Sequence, residues 1–231
     1  MGARAAHRAL TSSAVAVARH TGGMTSTPLP QEFFARDVLV VARELLGCRV
    51  THAGVTVRLT EVEAYAGGAD PGSHAFRGRS PRTDVMFGPP GRLYVYFTYG
   101  MHHCANVVTG TEGRASAVLL RAGEVVAGHE VAAARRPAVR DRDWARGPAR
   151  LATTLGLGRE QNGLALVGAR AGARVEPPDV AVDPALVRTG PRVGVSGAGG
   201  DGTAYPWRFW LDAEATVSAY RAARPRNARS A

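Results

Sequence analysis

The sequence contains no lysine, and all 29 of its Lys or Arg residues are arginines. A Walker-type phosphate loop needs a lysine on the terminal phosphates, and Schiff-base catalysis by a side chain needs a lysine amine. Both kinds of chemistry are therefore excluded for the side chains of this protein.

Cysteine and long apolar runs are also scarce. Cys48 and Cys104 are the only cysteines in 231 residues, too few for a disulfide framework or a zinc cluster, which favours a reducing cytoplasm. No apolar stretch is long enough to cross a membrane, and the run at residues 14–18 is too short for a signal peptide. We therefore expect a cytoplasmic protein without membrane contact.

Acidic residues are outnumbered, 19 against 29, which gives a formal net charge of +10. This balance indicates a polyanionic partner such as nucleic acid. An anionic membrane surface, simple solubility and a compositional bias toward arginine are alternatives, so the charge alone does not decide.

The two ends of the chain lack periodic patterns. For residues 1–30 we expect a disordered extension or a start placed too far upstream, with Met24 as the true beginning, and the alternative is a basic arm that contacts DNA. A single domain is expected over residues 31–223, followed by a flexible tail over 224–231.

Hydrophobic patterning predicts several strands with few helices between them. Asp37 can cap a helix that ends at Gly47, a hairpin follows, and residues 67–90 form a long loop. Strands are predicted at 48–52, 55–64, 92–99, 104–109, 115–121, 164–167, 192–195 and 207–211, and two more helices at 125–135 and 148–155. The expected fold is α+β, a single domain built on a curved, largely antiparallel sheet with flanking helices.

Glu61, Glu63 and Tyr65 alternate where the second strand enters the long loop. They continue the parity of the apolar residues before them, so a regular strand would aim two carboxylates at the core, which is costly unless a site needs them. A carboxylate held by neighbouring donors can take a proton from water. The alternative is a pair of solvent-facing glutamates on an edge strand.

Three tyrosines mark the next predicted hairpin. Tyr94 and Tyr96 fall on one face of the strand, and Tyr99, at the turn, can project beyond the sheet edge. An exposed aromatic at such a tip on a basic protein can unstack bases from the minor groove. A packed hairpin tyrosine is the alternative.

His74, His102 and His103, together with the two glutamates, could also hold a metal ion in a metal-dependent hydrolase. However, His102 and His103 point to opposite sides of a strand, and neither a His-Glu-x-x-His nor a Cys-x-x-Cys spacing occurs. We expect no metal and no cofactor. The glycine-rich run at 194–202 has no clear helix after it to supply a phosphate site, and we predict a flexible loop there.

Several ordered segments resemble the alkyladenine (3-methyladenine, or N-methylpurine) DNA glycosylase family. They are TEVEAY at 60–65, His74, Met86-Phe87, 91–101 and Asn106, followed by weaker matches at 147–148, 191–194 and 206–209. Unrelated segments in the right order are more specific than any single motif.

The resemblance implies a monofunctional DNA glycosylase that starts base excision repair. Its partner would be double-stranded DNA containing damaged purines, alkylated or deaminated, which are flipped out before their N-glycosidic bond is hydrolysed. No cofactor or obligate protein partner is implied, and in a bacterium the enzyme would be associated with the nucleoid.

The resemblance also implies roles for individual residues. Glu63 would be the general base that activates water, Arg121 would help to hold that water, and Glu61 would support them. The flipped purine would stack between Tyr65 on one face and His74 with Tyr96 on the other.

Two further roles concern discrimination and flipping. Asn106 would occupy the space of a guanine's exocyclic amine, and Tyr99 would fill the gap that the flipped nucleotide leaves. The chain departs from the eukaryotic pattern at His102-His103 and in a shortened loop before Met86, so the preferred lesion stays open.

Two rival functions remain at this point. A non-catalytic DNA-binding protein could use the same basic surface and the Tyr99 wedge, and release of free base would separate it from a glycosylase. A metal-dependent hydrolase would be sensitive to a chelator.

Overall fold

The computed structural model describes residues 27–98, 100–168 and 172–223. The described residues form one eight-stranded sheet, four α-helices and several short 3-10 helices. The helices are α1 (Gln31–Phe34), α2 (Val38–Leu45), α3 (His129–Arg135) and α4 (Pro148–Leu155). The strands are β1 (Arg49–His52), β2 (Val55–Tyr65), β3 (Leu93–Thr98), β4 (His102–Val108), β5 (Ala117–Ala127), β6 (Ala173–Glu176), β7 (Val187–Gly190) and β8 (Arg208–Leu211).

Strand β2 lies at the centre of the sheet. The order is β3-β4-β5-β2-β1-β6, and β8 joins β2 beyond the end of β1 and pairs in turn with β7. Every strand pairing in the described chain is antiparallel. The expected single α+β domain on a largely antiparallel sheet is confirmed.

Helix α2 forms where the sequence predicts it. Both Leu39 and Val40 donate backbone N–H groups to Asp37 Oδ1, which satisfies orphan donors of the first turn. The buried residues of the helix, Val38, Val41, Ala42 and Leu45, recur at helical spacing and pack into the main core. Gly47 follows at φ +80°, a conformation that favours glycine and ends the helix.

A bulge in β2 explains why Glu61 and Glu63 do not point into the core, as they would in a regular strand. The pairing of β2 with β5 shifts register on both sides of Glu61. Core residues are therefore Val55, Val57 and Leu59 before the bulge but Val62 and Ala64 after it. The change of parity turns Glu61 and Glu63 away from the main core, so a regular strand is not what forms here.

One predicted helix was too long, and two predicted strands do not form. The helix predicted at 125–135 begins only at His129, because β5 continues through Ala127 in pairing with β2 and Gly128 then turns at φ +77°. Residues 164–167 contribute only an isolated bridge to Arg92, and residues 192–195 form no strand. The sequence patterns missed β6 and β7, which are only four residues long, and β6 pairs with the distant strand β1.

The predicted extension and tail lie outside the described residues, except for residues 27–30. There Leu29 donates its N–H to the Val175 carbonyl, which attaches the start of the described chain to β6. Within the described segments, no helix is both long and apolar enough to span a membrane.

Candidate active site

Alternation along four neighbouring strands separates a core face from a cavity face. Cross-strand pairs link Glu63 to Leu119, Leu119 to Asn106, and Asn106 to Tyr94, so these four residues form one row across β2, β5, β4 and β3. Their immediate neighbours in sequence, such as Val62 and Val95, belong to the main core instead. The row is the floor of a cavity on the far side of the sheet from the core.

The cavity has a volume of about 580 Å³, within the usual range for small-ligand pockets. Its wall includes six residues to which the sequence assigned roles: Glu63, Tyr65, His74, Tyr96, Asn106 and Arg121. The residues that sequence reasoning did not assign are Pro71, Gly72, Met86, Tyr94, Thr98, Cys104, Leu119, Pro148, Val193, Gly194, Val195 and Ser196. Residues separated by up to 133 positions thus meet around one space.

Glu63 is fully buried beneath the cavity and is held by two hydrogen-bond donors and an ion pair with Arg121. Its Oε1 accepts from the Val193 N–H at 2.7 Å and lies 3.2 Å from Arg121 Nη1, while Oε2 accepts from the Tyr65 hydroxyl at 2.8 Å. Burial, and next the charge of Glu63, raise the pKa of Tyr65 well above its ordinary value, so Tyr65 acts as a donor. A carboxylate oxygen has two lone pairs, and Oε2 keeps one for a further donor.

Glu61 is equally buried and lies in a separate ion cluster with Arg121, Arg208 and Ser218, here called the Glu61 cluster. Its Oε1 accepts from Arg121 Nε at 2.8 Å and from Arg208 Nε at 2.7 Å. Burial by itself would raise the pKa of Glu61, but the two arginines and the Ser218 donors hold it below its ordinary value. The alternative of solvent-facing glutamates on an edge strand is therefore wrong.

Arg121 connects the two glutamates. Burial opposes its charge, but the charges of Glu63 and Glu61 outweigh this and raise the pKa of Arg121. Two arginines, Arg121 and Arg208, balance the two glutamates, so these buried groups sum to zero charge. A balanced, hydrogen-bonded set avoids the large cost of an unpaired buried ion.

Aromatic side chains also line the cavity. His74 lies with its ring 4.5 Å from that of Tyr96 in an edge arrangement, and its Nδ1 is 3.1 Å from the Tyr94 hydroxyl. His74 is exposed to solvent overall, but the rings of Tyr94 and Tyr96 cover part of its imidazole. This desolvation, and then the charge of Arg82, lower the pKa of His74 to about 4, so the imidazole is neutral at neutral pH.

An ion pair that the sequence did not reveal supports Tyr65. Arg192 and Asp70, both fully buried, form a two-pronged pair at 2.6 and 2.7 Å, and the Arg192 guanidinium stacks on the Tyr65 ring at 4.6 Å. Arg192 is not part of the cavity wall, so it covers the ring face that points away from the cavity. The match at 191–194 marked this segment without indicating a role, since a buried pair 122 positions apart has no local signal.

The glycine-rich run at 194–202 is more closely packed than the predicted flexible loop. A Cβ on Gly199 would lie 2.2 Å from the backbone nitrogen of Gly72, so these two segments touch at a distance that only glycine allows. Residues 193–196, where the run begins, border the cavity. The run therefore forms part of the site.

The remaining predicted features are Tyr99 and the adjacent histidines His102 and His103. Tyr99 lies outside the described residues, so its position stays a prediction. His103 contacts the exposed Phe97 ring, with 5.0 Å between centroids, and neither it nor His102 borders the cavity. Over 27–98, 100–168 and 172–223, no group of three or more His, Cys, Asp or Glu side chains is placed to hold a metal ion.

Comparison with known proteins agrees with the resemblance seen in the sequence. The family described as methylpurine-DNA glycosylase (MPG) matches residues 32–215. A protein of Streptomyces avermitilis is 56% identical over 209 residues, covering 88% of this chain and 97% of its own. Proteins of Frankia casuarinae and Leifsonia xyli are 52% and 50% identical, covering 82% and 83% of this chain and 92% of each relative. All three are named "Putative 3-methyladenine DNA glycosylase". The chain therefore belongs to the methylpurine-DNA glycosylase family.

Proposed function

We propose that this protein is a monofunctional DNA glycosylase that removes alkylated or deaminated purines from double-stranded DNA. The observation that carries the proposal is Glu63, a buried carboxylate with one acceptor position left on Oε2, at the floor of an aromatic cavity. Family membership and the relatives' names support the same activity. The sequence supports the term monofunctional, because a bifunctional enzyme uses an amine on the sugar and no lysine is present.

The proposed reaction is hydrolysis at the anomeric carbon of the flipped nucleotide. As the bond from that carbon to the purine nitrogen breaks, its electrons leave with the base and the sugar acquires oxocarbenium character. Glu63 stabilises this positive charge and takes a proton from the water that attacks the same carbon. Arg121, whose Nη1 is 3.2 Å from Glu63 Oε1, holds the carboxylate in place and helps to orient the water.

The aromatic walls suit a planar, cationic base. Tyr65, His74 and Tyr96 all line the cavity, which supports the proposal that they enclose a stacked purine. Because the His74 and Tyr96 rings are inclined at 84°, only one of them can lie parallel to the base while the other meets it edge-on. Stacking and cation–π attraction each contribute on the order of 1–2 kcal/mol in such a desolvated site.

Asn106 is held in one orientation on the cavity floor. Its Nδ2 donates to the Tyr94 carbonyl at 3.0 Å, and the residue is buried. A buried amide fixed by a backbone carbonyl cannot swing aside for a larger base without losing that hydrogen bond. We therefore assign it the exclusion of a guanine's exocyclic amine.

Incubation of the purified protein with duplexes that carry 3-methyladenine, 7-methylguanine, hypoxanthine or ethenoadenine tests the proposal. The expected result is release of free base from at least one duplex, leaving an intact strand with an abasic site. Tight binding of lesion DNA without release would instead indicate the non-catalytic DNA-binding function, and complete inhibition by a chelator would indicate a metal-dependent hydrolase.

A further inference from the structure

Ser218 occupies a position that the catalytic scheme leaves unexplained. It lies near the end of the described chain, three residues after the last residue that the family match covers, 215. Even so, it makes four hydrogen bonds with the other members of the Glu61 cluster. Such a concentration of contacts from one small residue indicates a function in ordering charged groups.

Two of these bonds are donated to Glu61. The Ser218 backbone N–H donates to Oε2 at 2.7 Å, and the hydroxyl donates to Oε1 at 2.9 Å. The arginines bond Ser218 in return, since Arg121 Nη2 donates to its hydroxyl at 3.3 Å and Arg208 Nη2 donates to its carbonyl at 2.8 Å. The hydroxyl therefore sits between Glu61 and Arg121 and bonds both.

The orientation of Arg121 matters because the same guanidinium serves both glutamates. Its Nε is used by Glu61, its Nη2 by Ser218, and its Nη1 by Glu63. A planar guanidinium with two of its three nitrogens bound elsewhere has only one orientation in which the third meets Glu63. We infer that Ser218 is a positioning residue that fixes Arg121 against Glu63.

This inference rests on the proposed function and can be tested by Ser218→Ala. The variant keeps the backbone N–H bond to Glu61 but loses the hydroxyl between Glu61 and Arg121. Single-turnover excision should fall about tenfold, since hydrogen bonds to charged groups are among the stronger ones. The Kd for lesion DNA should be nearly unchanged, because Ser218 does not border the cavity. Ser218→Thr, which retains a hydroxyl, should restore the rate.

Thr216→Val provides a matched control in the same segment. The Thr216 hydroxyl is buried and pairs with Thr60 Oγ1 at 2.9 Å rather than with the Glu61 cluster. This variant should lose thermal stability through the unpaired Thr60 hydroxyl and yet excise at the parental rate when folded. Ser218→Gly, which also lacks the hydroxyl, serves as the second variant if Ser218→Ala does not fold.

The outcomes separate the two proposals. If Ser218→Ala and Ser218→Gly excise at the parental rate, or if Thr216→Val is slowed as much as Ser218→Ala, Ser218 has no specific positioning role. If the parental chain itself releases no base from any lesion duplex, it is the proposed function that fails.

Discussion

Replacing Glu63 with glutamine tests the central step of the proposed chemistry. The amide retains the shape of the carboxylate, and its oxygen can still accept from Val193 and Arg121. Its nitrogen would face Tyr65, whose hydroxyl oxygen can accept as well as donate. The substitution therefore removes the charge and the proton acceptor with little change in packing.

The expected size of the effect follows from the role of the group. General-base catalysis contributes about 10²- to 10⁴-fold, so excision should fall by that factor, equivalent to about 3–5 kcal/mol of activation free energy. The summed charge of the two glutamates with Arg121 and Arg208 changes from zero to +1, which should lower the free energy of unfolding by about 1–3 kcal/mol. The affinity for lesion DNA should stay within about threefold of that of the parent.

The assay is single-turnover base release at saturating enzyme, with Kd from fluorescence anisotropy and stability from thermal unfolding. Glu61→Gln is the matched control, because it causes the same charge change beside the same Arg121 but away from the cavity wall. It should reduce excision only about tenfold through the positioning of Arg121. If Glu63→Gln retained more than about a tenth of parental activity, or if Glu61→Gln were the more damaged variant, the assignment of Glu63 as base would be wrong.

The other predictions concern separate parts of the molecule. His74, with a pKa of about 4, should show no titration by NMR between pH 8 and about 5.5. In the unfolded chain the same imidazole is protonated below about pH 6.5, so the folded state should lose stability as the pH falls from about 6.5 toward 4. Asp70→Asn should lower stability by about 3–5 kcal/mol in urea unfolding, because it leaves the charge of Arg192 buried and unpaired, and a loss below about 1 kcal/mol would contradict this. Borohydride added during turnover should trap no covalent protein–DNA adduct, and a trapped adduct that disappears in Glu63→Gln would overturn the monofunctional assignment. Tyr99→Ser should weaken lesion binding and slow excision with little change in Tm, whereas a large fall in Tm would identify a packed tyrosine.

Local signals were sufficient wherever neighbouring residues dictate the structure. Helix α2 was predicted because its cap, its apolar spacing and its terminal glycine all lie within about a dozen residues of one another. The strands β2, β3 and β4 were predicted from local hydrophobic and aromatic patterning, and strand geometry alone places Tyr94 and Tyr96 on one face. Helix α3 was extended wrongly because residues 125–127 are compatible with either state, and pairing with β2 decides for strand.

The sequence by itself determined the fold class, the family and six residues of the cavity wall, since these depend on residue types and on their order along the chain. Only the tertiary structure decided how the charges are arranged. The bulge at Glu61 decides on which face of the sheet both glutamates lie. Ser218 binds Glu61, and Arg192 binds Asp70, from positions more than 120 residues away in the chain. A buried ion is tolerated only where distant donors converge on it, and that convergence arises from packing, which no local pattern encodes.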